Sequence, residues 1–191
     1  GLEDLALFRP IPECAVLYPS DAFSGEACVE AVARHKGMSY LRTTRPGTPL
    51  IYNKDEEFPI GGSKIVKKSG KDVAVVIAAG ITLHEALKAY DELKSEKIRV
   101  RVIDAYSVKP LDEEGISRAV KKAGRKVVVV EDHFAEGGLG DAVASALGGK
   151  AEIVHLAVRE LPRSGKPEEL LDKYGISARH IVTAVKSLVS E

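Results

Sequence analysis

Apolar residues fall along the chain in two rhythms, short continuous runs and longer stretches where they return every third or fourth place. The continuous runs Ala15-Val16-Leu17-Tyr18, Val73-Ala74-Val75-Val76-Ile77-Ala78 and Val127-Val128-Val129-Val130 predict strands, the last two buried on both faces. Residues 39–43, 63–68, 98–103 and 153–158 predict further strands. Helical spacing marks residues 22–36, where Ala27, Cys28, Ala31 and Val32 share a face. Ser20 or Asp21 is placed to cap that helix, and Gly37 to close it. Helices are predicted over 1–9, stopped by Pro10 and Pro12, and over 83–95, where Thr82 and Glu85 have capping-box spacing. Others start near Asp112, run from Glu136-Gly137-Gly138-Leu139-Gly140 to Gly148, and cover 167–174 and 177–190.

Strand and helix alternate, which implies an α/β fold: a mixed, mostly parallel five-stranded sheet with helices on both faces. The short turn Ser69-Gly70-Lys71 predicts that the first edge strand pairs antiparallel with the strand after it. Residues 1–46 hold two strands and one long helix, too little for an independent domain, and read as the end of a longer α/β unit. Residues 47–62, with Pro49, Pro59, Gly61, Gly62 and the charged run Lys54-Asp55-Glu56-Glu57, read as a linker. Residues 63–191 form the second unit. Leu2, Leu5 and Phe8 predict an apolar patch needing cover from a partner or by self-association.

Composition narrows the function. The 191 residues carry 28 Lys+Arg against 28 Asp+Glu, so no long-range field favours nucleic acid or an anionic membrane, and an anion site must be local. No apolar run approaches bilayer length and no leader is evident, so no membrane association is expected. Cys14 and Cys28 form neither a disulfide framework nor a metal spacing; two thiols, with Cys28 on an apolar helix face, fit a cytoplasmic protein.

Two arginines lie near the end of a predicted strand, where open α/β sheets gather ligands. Arg42 lies within the strand and can pack its stem. Arg45 lies in the loop, its planar fork of donors suited to phosphate oxygens. The glycine-rich turn at 136–140 invites a phosphate-loop reading but has neither the dinucleotide spacing nor a Lys-Ser/Thr pair; a tight turn with φ > 0 accounts for it better. Glu131, Asp132 and His133 alternate faces and cannot converge on one ion. Asp104 and Asp132 sit at strand ends, which leaves nucleotide binding by residues 70–191 open. His35, His84, His155 and His180 form no cluster in the sequence.

Taken in order, these segments resemble a known family. Gly1-Leu2-Glu3-Asp4-Leu5-Ala6, Tyr18-Pro19-Ser20-Asp21 and Arg42-Thr43-Thr44-Arg45-Pro46 resemble the late part of a transketolase's pyrimidine-binding domain. Gly80-Ile81-Thr82-Leu83-His84-Glu85-Ala86-Leu87, Val108-Lys109-Pro110-Leu111-Asp112, Val130-Glu131-Asp132-His133 and the turn at 136–140 resemble its C-terminal domain. Leu161-Pro162-Arg163-Ser164-Gly165-Lys166-Pro167 favours transketolases over deoxyxylulose-phosphate synthases and 2-oxoacid dehydrogenase beta subunits; a non-catalytic regulatory or assembly module is the remaining alternative.

The resemblance implies an enzyme using thiamine diphosphate and Mg²⁺ to move a two-carbon ketol unit between sugar phosphates in the pentose phosphate pathway, as a cytoplasmic homodimer with active sites between subunits. It assigns Arg45 to the substrate phosphate. It places the diphosphate, the metal and the thiamine-activating glutamate in segments N-terminal to this one. No catalytic, cofactor-binding or metal-binding residue is therefore expected here, and the segment alone is expected to bind no cofactor and to be inactive without the N-terminal part of transketolase.

Overall fold

The computed structural model describes residues 1–45 and 47–190. Pro46 and Glu191 lie outside the described residues, and with them the expected boundaries at 46 and 191 and the proline of Thr44-Arg45-Pro46.

A five-stranded sheet is the frame. Its strands are β3 (Lys64–Lys67), β4 (Ala74–Ala78), β5 (Val100–Asp104), β7 (Lys126–Phe134) and β8 (Glu152–Val158), in the order β3-β5-β4-β7-β8. All neighbours are parallel except β3 and β5. The mixed, mostly parallel sheet is therefore as the periodicity predicts, but the hairpin is not. β3 pairs with β5 rather than with β4, because β5, brought back by the helix after β4, occupies the place beside β4.

Alternate residues of each strand build two cores. Val75, Ile77, Ile103, Val127 and Val129 face α4 (Glu113–Lys122) and α5 (Leu139–Leu147). Val76, Val100, Val102, Val128 and Val130 face α3 (Ile81–Ser95) and α7 (Ala178–Ser190). Helices thus cover both faces. The short α6 (Pro167–Lys173) lies just before α7.

The first 45 residues hold α1 (Asp4–Phe8), β1 (Ala15–Leu17), α2 (Ala22–Arg34) and β2 (Ser39–Leu41). β1 and β2 pair in parallel, and the third strand of this small sheet, β6 (Ser107–Lys109), comes from much later in the chain and runs antiparallel to β1. The apolar patch of α1 is not left for a partner: Leu5 is 1 % exposed, and Leu2 and Phe8 pack on the chain's own cores. Self-association loses its reason at that patch.

Caps follow local chemistry. Asp21 closes a capping box with Ser24 at the start of α2, a feature worth about 1 kcal/mol. Asp112 caps α4 through Gly115 N (2.9 Å). Thr82 and Glu85 do not cap α3. Its N-cap is Gly80; Thr82 Oγ1 donates to the carbonyls of Ala79 and Val130, and Glu85 accepts Ala178 N from α7. The Thr-x-x-Glu pair is spent on tertiary contacts one turn inside the helix. Gly37 lies beyond the end of α2, whose C-cap is His35.

Candidate functional site

In open α/β sheets a ligand crevice opens where the strand order reverses, here beyond the ends of β4 and β7. The N-terminal segment fills it. Gly80, at the end of β4, has φ +57°, and a Cβ there would lie 1.9 Å from the ring of Tyr18, so only glycine allows the ring to sit across the backbone. Tyr18 OH accepts Ile81 N (3.3 Å) at the start of α3 and donates to Asp132 Oδ2 (3.0 Å). Arg42 lies over the same ring, 4.7 Å from its centroid, with ion pairs to Asp4 (3.1 Å) and Asp132 (3.4 Å). The other strand-end acid, Asp104, is wholly buried under Ser20 and Tyr52. The chain's own Tyr18 and Arg42 thus stand at the strand ends where a nucleotide would sit, and with Asp132 they form part of the wall of a broad cleft.

The two arginines separate cleanly. Arg42 is a structural cation. Arg45 is exposed, and among the described residues no carboxylate pairs with it. It stands on a broad cleft of about 1140 Å³, lined mainly by apolar side chains and by charged groups of both signs: Lys88, Arg163 and Lys166 with His84, and the carboxylates Glu85, Asp91, Asp132 and Glu168. His84 Nε2 donates to Ser20 O (2.7 Å), which ties α3 to the turn before α2.

The backbone is tied down three residues before Arg45 and again six residues after it. Before it, Arg42 N donates to Leu17 O (2.9 Å). After it, Asp21 Oδ2 accepts Ile51 N (2.7 Å) and Tyr52 N (3.0 Å) while Oδ1 accepts Ser24 N (2.8 Å). Burial alone would raise the Asp21 carboxyl; the N–H groups of Ser24, Tyr52 and Ile51 outweigh it and hold the pKa below the ordinary value. Tyr52 OH donates to Asp104 Oδ2 (2.7 Å) and Ser20 Oγ donates to the same oxygen (3.1 Å). Asp104 Oδ1 is buried with no partner. Burial pushes Asp104 up to about 7, against the two hydrogen bonds that favour its ionised form.

The glycine-rich turn is a filled anion site. Glu131 reaches from β7 to the start of α5, where Leu139 N (2.6 Å) and Gly140 N (2.9 Å) donate to its carboxylate, and His155 donates from β8 (2.6 Å). Gly137 has φ +75°, and a Cβ on Gly138 or Gly140 would strike Glu131 or His155. The tight-turn reading accounts for the motif. Asp132 points away from Glu131 and His133, towards Tyr18 and Arg42, as alternation requires. What the sequence does not disclose is that His155, from β8, joins Glu131 and His133, which share one face of β7 two residues apart. Buried His133 accepts Ala6 N, and Arg9 donates to the carbonyls of Gly137 and Gly138, so this cluster docks α1. Among the described residues no group of three or more His, Cys, Asp or Glu is arranged to hold a metal ion.

Residues 61–181 match the family model described as transketolase, C-terminal domain. The chain belongs to the transketolase family. Transketolase-like protein 2 of Mus musculus is 53% identical over 191 residues, covering 99% of this chain and 30% of that protein. Transketolase of Homo sapiens is 47% identical over 193 residues, covering 100% of this chain and 31% of the relative. This transketolase chain therefore spans about 30% of the length of the curated relatives it matches. The solved structure of a split gene transketolase, an inactive beta4 tetramer, superposes with a TM-score of 0.90 at 36% identity, covering 100% of this chain and 62% of the other. The transketolase match extends through the first 60 residues, which lie outside the matched family model.

Proposed function

We propose that the chain serves a transketolase as the part that holds the substrate's phosphate. The observation that carries this is the contrast between Arg42, locked over Tyr18 between two carboxylates, and Arg45, exposed on a cleft in a loop tied at Arg42 and at Ile51. A guanidinium that is unpaired and presented from a tethered loop meets a phosphate with little ordering cost. The reaction served is transfer of a two-carbon ketol unit between sugar phosphates, with thiamine diphosphate supplying the carbanion chemistry. The donor groups described here do not fit the metal that accompanies the diphosphate. Both belong, on this reading, to the rest of the enzyme.

On this reading residues 1–46 close a pyrimidine-binding domain, 47–62 link it, and 63–191 form the C-terminal domain. The segment alone is inactive and acts with the N-terminal part of a transketolase in a cytoplasmic homodimer. The inactive tetramer of the split gene transketolase is consistent with a part that assembles without turning over. No described helix is long and apolar enough to cross a membrane.

The test is titration of the chain with D-ribose phosphorylated on its terminal hydroxyl, followed by NMR, against Arg45→Ala. Saturable binding lost in the variant supports the site; equal behaviour of the two chains removes it.

A further inference from the structure

Arg45 could be displayed by a floppy loop or by a held one, and the contacts after it decide which. Asp21 divides its carboxylate: one oxygen caps α2 through Ser24 N, and the other takes the consecutive N–H groups of Ile51 and Tyr52. A cap needs only the first. The second oxygen joins the start of α2 to the chain leaving the Arg45 loop. Tyr52 then carries the connection into the main sheet, where its hydroxyl meets Asp104 at the end of β5, and Ser20, the neighbour of Asp21, meets the same oxygen. Tyr52 and Asp104 are buried, so neither bond is exchanged for water at the surface.

We propose that Asp21, with Tyr52 and Asp104 behind it, is a positioning clamp that sets Arg45 for phosphate. The inference rests on the phosphate reading of Arg45. None of the three touches the ligand. They act by restricting the conformations of the loop, so the apparent affinity of Arg45 follows the fraction of time the loop is held. The Arg42 N–H ties the chain three residues before Arg45, and the clamp ties it six and seven residues after.

Capping and clamping can be separated chemically. In Asp21→Ser the hydroxyl still caps α2, because serine is among the preferred capping residues, but no second oxygen remains for Ile51 and Tyr52. Tyr52→Phe keeps the ring, which packs edge-on against Phe58 with centroids 4.8 Å apart, and removes only the link to Asp104.

The experiment titrates the unaltered chain, Asp21→Ser, Tyr52→Phe and Arg45→Ala with the phosphorylated ribose, and with unphosphorylated D-ribose as control, by NMR. Helix content and urea midpoint are followed alongside. The expected result is phosphate-dependent binding weakened about tenfold in Asp21→Ser and about threefold in Tyr52→Phe. Helix content should be unchanged in both, and Arg45→Ala should abolish the binding. Loss of binding in Arg45→Ala with full affinity in both clamp variants overturns the clamp and leaves the phosphate site standing. Absence of phosphate-dependent binding by the unaltered chain removes the site and the clamp together. If Asp21→Ser loses its fold, Tyr52→Phe decides: unweakened binding there overturns the clamp.

Discussion

Replacing Asp104 by asparagine should make the chain's stability less sensitive to pH. The carboxyl at the end of β5 has no exposed surface, takes two hydrogen bonds on one oxygen and leaves the other bare. Burial, with Asp21 nearby, raises it from 3.8 to about 7, while Tyr52, Ser20 and Lys64 pull the other way. Since its folded-state pKa lies above the unfolded one, the folded chain holds a proton that the unfolded chain releases. The corresponding stability is fully present below about pH 4 and is lost as pH rises through about 7. The slope across that window is about 1.4 kcal/mol per pH unit, and the full span about 4 kcal/mol. Asn keeps an acceptor for Tyr52 and Ser20 and does not titrate. Urea unfolding at pH 5 and pH 7 should therefore show the unaltered chain losing about 2 kcal/mol more than Asp104→Asn between the two. Other titrating groups are common to both chains and cancel in the comparison. Parallel stability profiles would refute the reasoning, because they would mean that the acid is ionised throughout.

Two other predictions concern the filled crevice and can be checked by urea denaturation. Arg42→Ala strands two part-buried carboxylates, Asp4 and Asp132, and should cost about 3 kcal/mol, whereas Arg45→Ala should stay within about 0.5 kcal/mol. Equal losses would erase the distinction between the ion-paired Arg42 and the exposed Arg45. Gly80→Ala demands both a left-handed backbone and a Cβ inside the Tyr18 ring, and should cost about 3 kcal/mol or more; a change under about 1 kcal/mol would show that the ring does not lie there.

The large sheet was legible because β4 and β7 are continuous apolar runs bounded by turns, and such runs admit few structures but buried parallel strands. β6 was not, since Ser107-Val108-Lys109 carries no periodicity and becomes a strand only by pairing with β1. The hairpin expectation at 69–71 failed for a related reason. A short connection limits distance, but partner choice depends on where the following helix delivers β5. At the candidate site, the loop position of Arg45 could be read locally, and the cap of α2 was narrowed to Ser20 or Asp21, of which the structure uses Asp21. The partners of Arg42, and the second task of Asp21, lie about 30 to 90 residues away in sequence, and no local pattern signals them. The cover over α1 was missed likewise: the sequence shows an apolar face, and only the fold shows that the turn after β7 lies against it.

Strand β1 depends for its antiparallel neighbour on β6, a segment translated almost a hundred residues later. The opening portion and the remainder are thus halves of a single ribbon, stitched by backbone bonds instead of being threaded together by residues 47–62 alone. A protease nick at the exposed charged stretch Lys54-Asp55 should leave two polypeptides that still migrate as one particle, coming apart only in denaturant.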